Sequence, residues 1–461
     1  MQFHIVSFEG PDRYSRAGGL ATRVEGLSET LSALGFETHL WFIGDPDLPG
    51  HETRGRLHLH RWAQWVSRHH PGGVYDGEFG KESEFSASLP PYLLREVLMP
   101  HVRSGGRAVI LAEEWHTAHA VLHLHRLLEQ AGVRKRVAML WNANNTFGFE
   151  QIPWERLARA ATITTVSRYM KYHMRKWSVD SLVIPNGLPN QAFDAPNQRA
   201  CAELSRRFRG RTILTKMARW DPDKCWLGAV EIVGEMKHLG WRPLLIARGG
   251  AEPHGAEVLD FARAHGLSRI DREWTRPGAS GLLDALRDVN GADLVNLRSH
   301  VDAESRQVLF RGSGAVLANS AHEPFGLVGL ETMAAGGIAC TGCSGEDYAV
   351  PGRNALVLET GDPNEFLSMF SRLRGDPREA QALRRAGQRT AKQFAWPEIV
   401  QRVLLPRVEL TYGTSASTGA VRRSVMQAQP REESRDIGLH PLLHSRIENV
   451  SWKSTTSSAQ A

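Results

Sequence analysis

Apolar and polar positions along the chain alternate between two periods. "FHIVSF" (3–8) is a short, mostly apolar run of the kind that forms a buried strand. "GGLATRVEGLSETLSALG" (18–35) then places Leu20, Val24, Leu27, Leu31 and Leu34 three or four positions apart, which predicts a loop and a helix with one apolar face. "FETHLWFIG" (36–44) is a second strand. "AVILAEEWH" (108–116) and "RVAMLWN" (136–142) are further strands, separated by the helical "TAHAVLHLHRLLEQAG". "ATITTVS" (161–167) is another strand, and the helix start "RYMKYHMRKW" follows it. Strands alternating with helices predict a mostly parallel sheet covered on both faces.

The rhythm then repeats. "RTILTKMARW" (211–220), "RPLLIARGG" (242–250), "GAVLANS" (314–320), "GIACTG" (337–342) and "NALVLE" (354–359) read as strands. "CWLGAVEIVGEMKHLG" (225–240), "EVLDFARAHG", "LVGLETMAAG" and "PNEFLSMFSRL" read as helices among them. The stretch "PNGLPNQAFDAPNQRACA" (185–202), rich in Pro, Asn and Ala, suits a boundary between two domains. The expected organisation is an α/β chain of two doubly wound, Rossmann-like domains facing a cleft. They span 1–195 and 196–390, with a C-terminal helix over 391–410 crossing back to the first domain. From 411 to 461 the chain is rich in Ser, Thr, Gln and Arg with little periodicity and reads as a disordered tail. Residues 57–95 read as an irregular connection carrying aromatics and histidines, equally suited to a lid or to holding a substrate. Ligands of such sheets bind beyond the carboxyl ends of the strands, so the loops there should carry the function.

The loop chemistry begins with "HEPFGLVGLETMAAGG" (322–337). It sets Glu323 in a Pro/Gly loop and Glu331 inside a largely apolar helix, eight positions on. A carboxylate there needs a partner or a ligand, because burying it alone is costly. A vicinal diol, such as the ribose 2′- and 3′-hydroxyls, suits Glu331, and another polyol suits Glu323. In "MARWDPDKCW", Arg219 and Lys224 flank an Asp-Pro-Asp turn at a strand-to-helix junction, where two cations can hold a diphosphate. The free N–H groups of the helix entering at "FGLVGLE" add to that wall. Gly18 and Gly19 precede the first long helix and let a ligand approach its N-terminus. Their pattern is not the dinucleotide G-x-G-x-x-G, which weakens a nicotinamide or flavin reading.

Composition narrows this further. With 461 residues, 41% of them hydrophobic, the chain is long enough for two cores. A net charge of +6, scattered along the sequence, suits an anionic small molecule and does not point to nucleic acid. No stretch of 18 apolar residues predicts a membrane span, and "MQFHIVSFEG" begins as a strand, not as a secretory signal, so a cytoplasmic location is expected. Four cysteines make no disulfide framework for this length, and the lone Cys340-x-x-Cys343 is weak evidence for a metal or redox pair. No metal is expected.

On these residues the chain resembles the retaining GT-B glycosyltransferases, the group that includes sucrose and glycogen synthases. "EPFGLVGLE" is similar to their E-x7-E element, "RAGGLATRVEGL" to the glycine-rich loop of glycogen synthases, and "EEWHTAHAV" to their histidine segment. The likeness runs over about residues 1 to 408. It departs where the glycine after Lys224 is missing and where Ala321 and His322 replace an aromatic or an acid. The resemblance implies a donor that is a UDP-, ADP- or GDP-hexose, glucose being favoured, and an acceptor that is a saccharide or other hydroxyl compound, without a further cofactor. It implies that Arg219 and Lys224 hold the diphosphate while Gly18 and Gly19 approach it, and that Glu331 binds ribose. Glu323 would grip the transferred sugar, Phe325, Gly326 and Leu327 would line its pocket, and His116 would stand by the reacting centre. Phosphate or water as acceptor, epimerisation, and an inactive glycan-binding protein are the alternatives. The oligomeric state stays open.

Overall fold

The computed structural model describes residues 1–417. The first lobe is an eight-stranded sheet. Its strands are β1 (Gln2–Val6), β2 (Glu37–Ile43), β3 (His51–Arg54), β4 (Leu57–Trp62), β5 (Ala108–Glu113), β6 (Val137–Ala143), β7 (Thr162–Thr165) and β8 (Leu182–Val183). Their order is β3-β4-β2-β1-β5-β6-β7-β8. All neighbours run parallel except β3, which pairs antiparallel with β4 at the edge. The second lobe has β9 (Thr212–Met217), β10 (Pro243–Arg248), β11 (Arg269–Arg272), β12 (Leu294–Leu297), β13 (Ala315–Ala318), β14 (Ala339–Thr341) and β15 (Leu356–Val357). Their order is β11-β12-β10-β9-β13-β14-β15, parallel throughout. The strand order reverses at β1 in one sheet and at β9 in the other, the switch points where such sheets open a crevice.

The central strands are buried on both faces, which is why they read as unbroken apolar runs. Helix Gly19–Ala33 covers one face of the first sheet through Leu20, Val24, Leu27 and Leu31. The same face holds the C-terminal segment. Trp396, Ile399, Val400, Leu404 and Val408 pack among Phe3, Ile5 and Leu140, although they follow the second lobe in sequence. Trp396 is 1% exposed, and a Cβ on Gly26 or Gly187 would come within 2.2 or 2.4 Å of its indole. Those glycines are therefore the slot that receives it.

Two expectations change. The stretch 57–95 is not an irregular connection. "LHLHRW" alternates as β4, and helix Glu78–Tyr92 follows, with Phe85 and Leu89 buried against the helix Ala118–Gln130. The Pro90–Pro91 pair inside that helix and the glycines before it disguised it. The polar segment after 268 forms β11, β12 and the helices Gly278–Ala285 and Ala303–Gly312. The expected tail begins late: the last helix continues to Ser417, and the Tyr412 hydroxyl donates to the Ala108 carbonyl at 2.6 Å. The rest of the tail lies outside the described residues. Among the described residues, no helix is long and apolar enough to cross a membrane. Cys340 is buried in β14 and Cys343 is exposed after it.

Candidate active site

A cleft of about 700 Å³ separates the two lobes, lined by the loops that follow β1, β5, β6, β9 and β13. Two contacts bridge the lobes beside it. The Arg168 backbone N–H and Nε reach the Asp347 carboxylate at 2.7 and 3.2 Å, and the Tyr169 hydroxyl meets His322 Nδ1 at 3.1 Å.

On the second lobe, β9 ends in Met217 and leads through Arg219 to a turn capped by Asp221, whose carboxylate accepts from the Asp223 N–H at 2.9 Å. That turn delivers Lys224 into the cleft, where its Nζ lies 2.6 Å from Glu323 Oε2. Arg219 is two-thirds exposed and 3.8 Å from Asp221, its side chain not tied down by a close bond. Glu323 is held from behind: its N–H donates to the Ser344 hydroxyl at 2.9 Å. Gly326 then turns the chain into helix Leu327–Ala334 with φ +78°. A Cβ there would lie 2.6 Å from Glu346 Cγ, so glycine is required on both counts. The Tyr348 hydroxyl donates to the Gly326 carbonyl, and buried Phe325 packs on Tyr348 and Phe394. Leu327, Val328 and Gly329 bring the first N–H groups of the helix to the cleft wall. Glu331, one turn on, lies outside the lining. It is partly buried, burial pushes its carboxyl up, and Arg306 at 3.6 Å opposes that shift.

On the first lobe, His116 is buried in the turn Trp115–Thr117, between the rings of Phe8 and Trp115 at 4.2 and 4.0 Å. Its Nε2 is 2.7 Å from Glu78 Oε1. Burial lowers its pKa and Glu78 opposes the shift. Its Nδ1 has no hydrogen-bond partner among the described residues. Gly18 and Gly19 do stand at the start of helix Gly19–Ala33 in the cleft wall. The anion at that helix start, however, is the chain's own. Glu9 Oε2 accepts from the N–H groups of Ala17, Gly18 and Ala21 at 3.3, 2.9 and 3.1 Å, and Oε1 accepts from the Tyr75 hydroxyl at 2.6 Å.

Several lining residues had not been singled out from the sequence. Glu9, Tyr75 and Glu78 come from the first loop and from the segment read as irregular. Glu114 adopts φ +68° and ψ 166°, a backbone conformation rare outside glycine and a mark of strain held by its surroundings. Its Oε1 accepts from the Asn144 N–H at 2.7 Å, and burial pushes its carboxyl up to about 8. Its neighbour Glu113 is spent on Arg23, Asn142 and Asn144. Two adjacent acids ending an apolar strand were the available signal. Lys216 is buried under the second lobe's wall, donating to Leu317 O, Asn319 O and Asn319 Oδ1, with its pKa down to about 8 from burial.

No family model matches the chain. It is similar to D-inositol 3-phosphate glycosyltransferase of Thermomonospora curvata, 28% identical over 156 residues, which is 33% of this chain and 35% of that one. The Streptomyces avermitilis protein of the same name is 31% identical over 107 residues, 23% of each chain. The matches thus span about a third or less of these relatives. Solved structures align over most of the chain. Sucrose-phosphate synthase from Thermosynechococcus elongatus has TM-score 0.61 at 19% identity, covering 89% of this chain and 99% of that one. The catalytic domain of starch synthase IV from Arabidopsis thaliana, bound to ADP and acarbose, has TM-score 0.61 at 15% identity, covering 90% and 99%. An E. coli trehalose-6-phosphate protein bound with UDP-2-fluoro glucose has TM-score 0.60 at 14% identity, covering 88% and 99%. The chain has the two-lobed GT-B fold of these glycosyltransferases.

Proposed function

We propose that this chain is a glycosyltransferase that moves a hexose, glucose favoured, from a nucleoside diphosphate sugar to a hydroxyl acceptor with retention at the anomeric carbon. The observation that carries the reading is the Lys224–Glu323 pair, 2.6 Å apart beside the first turn of helix Leu327–Ala334. Cation, helix N–H groups and a sugar-gripping carboxylate stand together in a cleft between two switch points. The ADP of one structural neighbour and the UDP-2-fluoro glucose of another support a nucleotide sugar as donor.

In this reading a donor diphosphate takes Lys224 from Glu323, joined by exposed Arg219 and the helix N-terminus. Glu323 is then free to accept from sugar hydroxyls. The anomeric C–O bond breaks, its electron pair leaving on the diphosphate, where those positive groups stabilise it. The acceptor oxygen bonds to the same face of the anomeric carbon and its proton passes to the leaving phosphate oxygen. His116, held by Glu78 and two aromatic rings, lines the opposite wall by the reacting centre. Glu331, with Arg306, binds the ribose beyond the main cleft. The test is a panel of UDP-, ADP- and GDP-sugars with mixed hydroxyl acceptors, read by mass spectrometry for nucleoside diphosphate and glycosylated product. Release that needs an acceptor supports transfer. Release into phosphate or water alone, or donor binding without turnover, replaces it with the corresponding alternative.

A further inference from the structure

The two walls of the cleft differ in charge. Every lysine and arginine among its described lining residues, Lys216, Arg219 and Lys224, comes from the second lobe. The first lobe contributes no lysine or arginine; its acids are Glu9, Glu78 and Glu114, and since burial favours the protonated form of Glu114, the negative charge of this wall comes from Glu9 and Glu78. We propose that the acceptor is a polyol bearing no negative charge, an uncharged or amine-bearing sugar rather than a sugar phosphate; this rests on the transferase reading above.

The first-lobe wall is built, not incidental. Glu9 is 4% exposed, and its carboxylate fills the N-terminus of helix Gly19–Ala33, where a phosphate would otherwise bind. Tyr75 closes over it. An incoming phosphate would have to displace Glu9 and then sit beside it, uncompensated. Glu78 is a second carboxylate, and its His116 partner is kept neutral by burial. The buried cations behind this wall are committed: Arg23 to Glu113 and Asn186, and Lys81 to the Tyr14 hydroxyl and the carbonyls of Gly73, Val74 and Asp76. Arg16 pairs with Glu25.

The same wall suits hydroxyl or ammonium groups. His116 Nδ1 and Asn144 Oδ1 are buried without hydrogen-bond partners among the described residues, and both residues line the cleft. They are groups waiting for a polar ligand. Glu114, whose carboxyl burial pushes up to about 8, can in its protonated form donate to one hydroxyl as it accepts from the Asn144 N–H. Carboxylates accept from hydroxyls and attract ammonium groups, while like charge excludes an anion, so the wall discriminates by repulsion as well as by attraction. Arg13, Arg16 and Arg68 border an adjoining groove that shares Ala17 and Tyr75 with the cleft and that also holds Asp45 and Asp47.

The experiment uses the full chain with the nucleotide sugar that binds best by calorimetry, and acceptors in matched pairs: glucose and glucose 6-phosphate, glucosamine and its 6-phosphate, inositol and an inositol phosphate. The expected result is a kcat/KM at least 100-fold higher for the phosphate-free member of each productive pair. E9Q and E78Q, each checked for an unchanged melting profile, should cut that ratio at least tenfold by removing negative charge. A preference for any phosphorylated member overturns the proposal, and its loss in Arg13→Ala would move the phosphate to the neighbouring groove. Donor binding with no transfer to any phosphate-free acceptor also overturns it, as does an unchanged ratio in both variants. Failure to bind any nucleotide sugar overturns the transferase reading itself.

Discussion

Lys224 and Glu323, 99 positions apart in sequence, meet at 2.6 Å with their side chains about one-fifth exposed. Each is the other's counter-ion in the free protein, and the proposed donor must separate them. Truncating Lys224 removes a diphosphate contact and also leaves Glu323 unpaired near the phosphates. Lys224→Ala should weaken nucleoside diphosphate binding by roughly 2 kcal/mol or more. Calorimetry decides it, and unchanged affinity in a folded variant would remove Lys224 from the donor site.

Glu323 should act on the other end of the donor. Glu323→Gln is expected to hold bare nucleoside diphosphate at least as well, because Lys224 is released to it. Turnover should fall by about 100-fold, the cost of misplacing the reacting carbon by an ångström. Glu331→Gln, by contrast, should weaken bare diphosphate and nucleotide sugar together, through ribose and the loss of its partner on Arg306. Equal loss of bare-diphosphate affinity in both variants would show that the two acids do not divide the donor between them.

Gly326 tests the geometry of the loop without touching charge. Gly326→Ala demands φ +78° of a residue with a Cβ and drives that atom to 2.6 Å from Glu346. The local strain is expected to cost about 1–3 kcal/mol. Glu346 carries a carboxyl pushed up to about 8 by burial and by Glu323, so displacing it disturbs the site directly. Chemical denaturation and donor titration should both report a loss; a variant as stable and as tight as the parent would show that the loop can re-form around a side chain.

The histidine stack of the first sheet should make the protein acid-labile. His4 stacks on His39 at 4.6 Å, His39 on His58 at 4.6 Å, and His60 on Trp41 at 3.6 Å, while His39 Nδ1 meets His60 Nε2 at 3.0 Å. His51 flanks His58 and His60, His101 acts on His4 and His39, and Glu37 is the carboxylate that faces the group, on His58. Burial, then neighbouring histidines, lowers His4, takes His39 to about 4 and takes His60 to about 2. These folded values lie below the unfolded value of about 6.5. The unfolded chain therefore binds more protons, and stability is present above pH 6.5 and lost as pH falls towards the folded values. For His39 alone the loss between pH 7 and pH 5 is about 2 kcal/mol. Urea unfolding at the two pH values measures it, and His39→Phe should flatten the difference. Equal stability at both would mean that the folded stack takes up protons as the unfolded histidines do.

Trp396 should anchor the C-terminal segment. It is fully enclosed against Gly26 and Gly187, and backbone bonds of 2.7 and 2.9 Å tie Phe394 and Trp396 to Leu188. Trp396→Ala should cost about 3–5 kcal/mol. A small shift in thermal midpoint would indicate that the C-terminal segment holds without its anchor.

What the sequence determined by itself was local. Apolar runs and helical spacing marked the central strands and the helices around them, because a doubly covered parallel sheet writes burial directly into composition. The loop of Glu323 and the cations at 219 and 224 stood out as candidates because each lies within several residues of a strand end, and His116 stood out through the segment that holds it. The edge of the first sheet was not, since β3 and β4 carry histidines and charges where the sheet meets solvent. Neither was helix Glu78–Tyr92, whose prolines imitate a loop. Only the tertiary structure decided which charges meet. Glu9 reaches Tyr75 across 66 positions, Glu78 reaches His116 across 38, and Lys224 reaches Glu323 across 99. Pairings at such separations follow from how two sheets and their loops close on a common cleft, and no local periodicity records them. That is why the cations could be named from the sequence, while the acidic character of the opposite wall emerged only when the first lobe was folded.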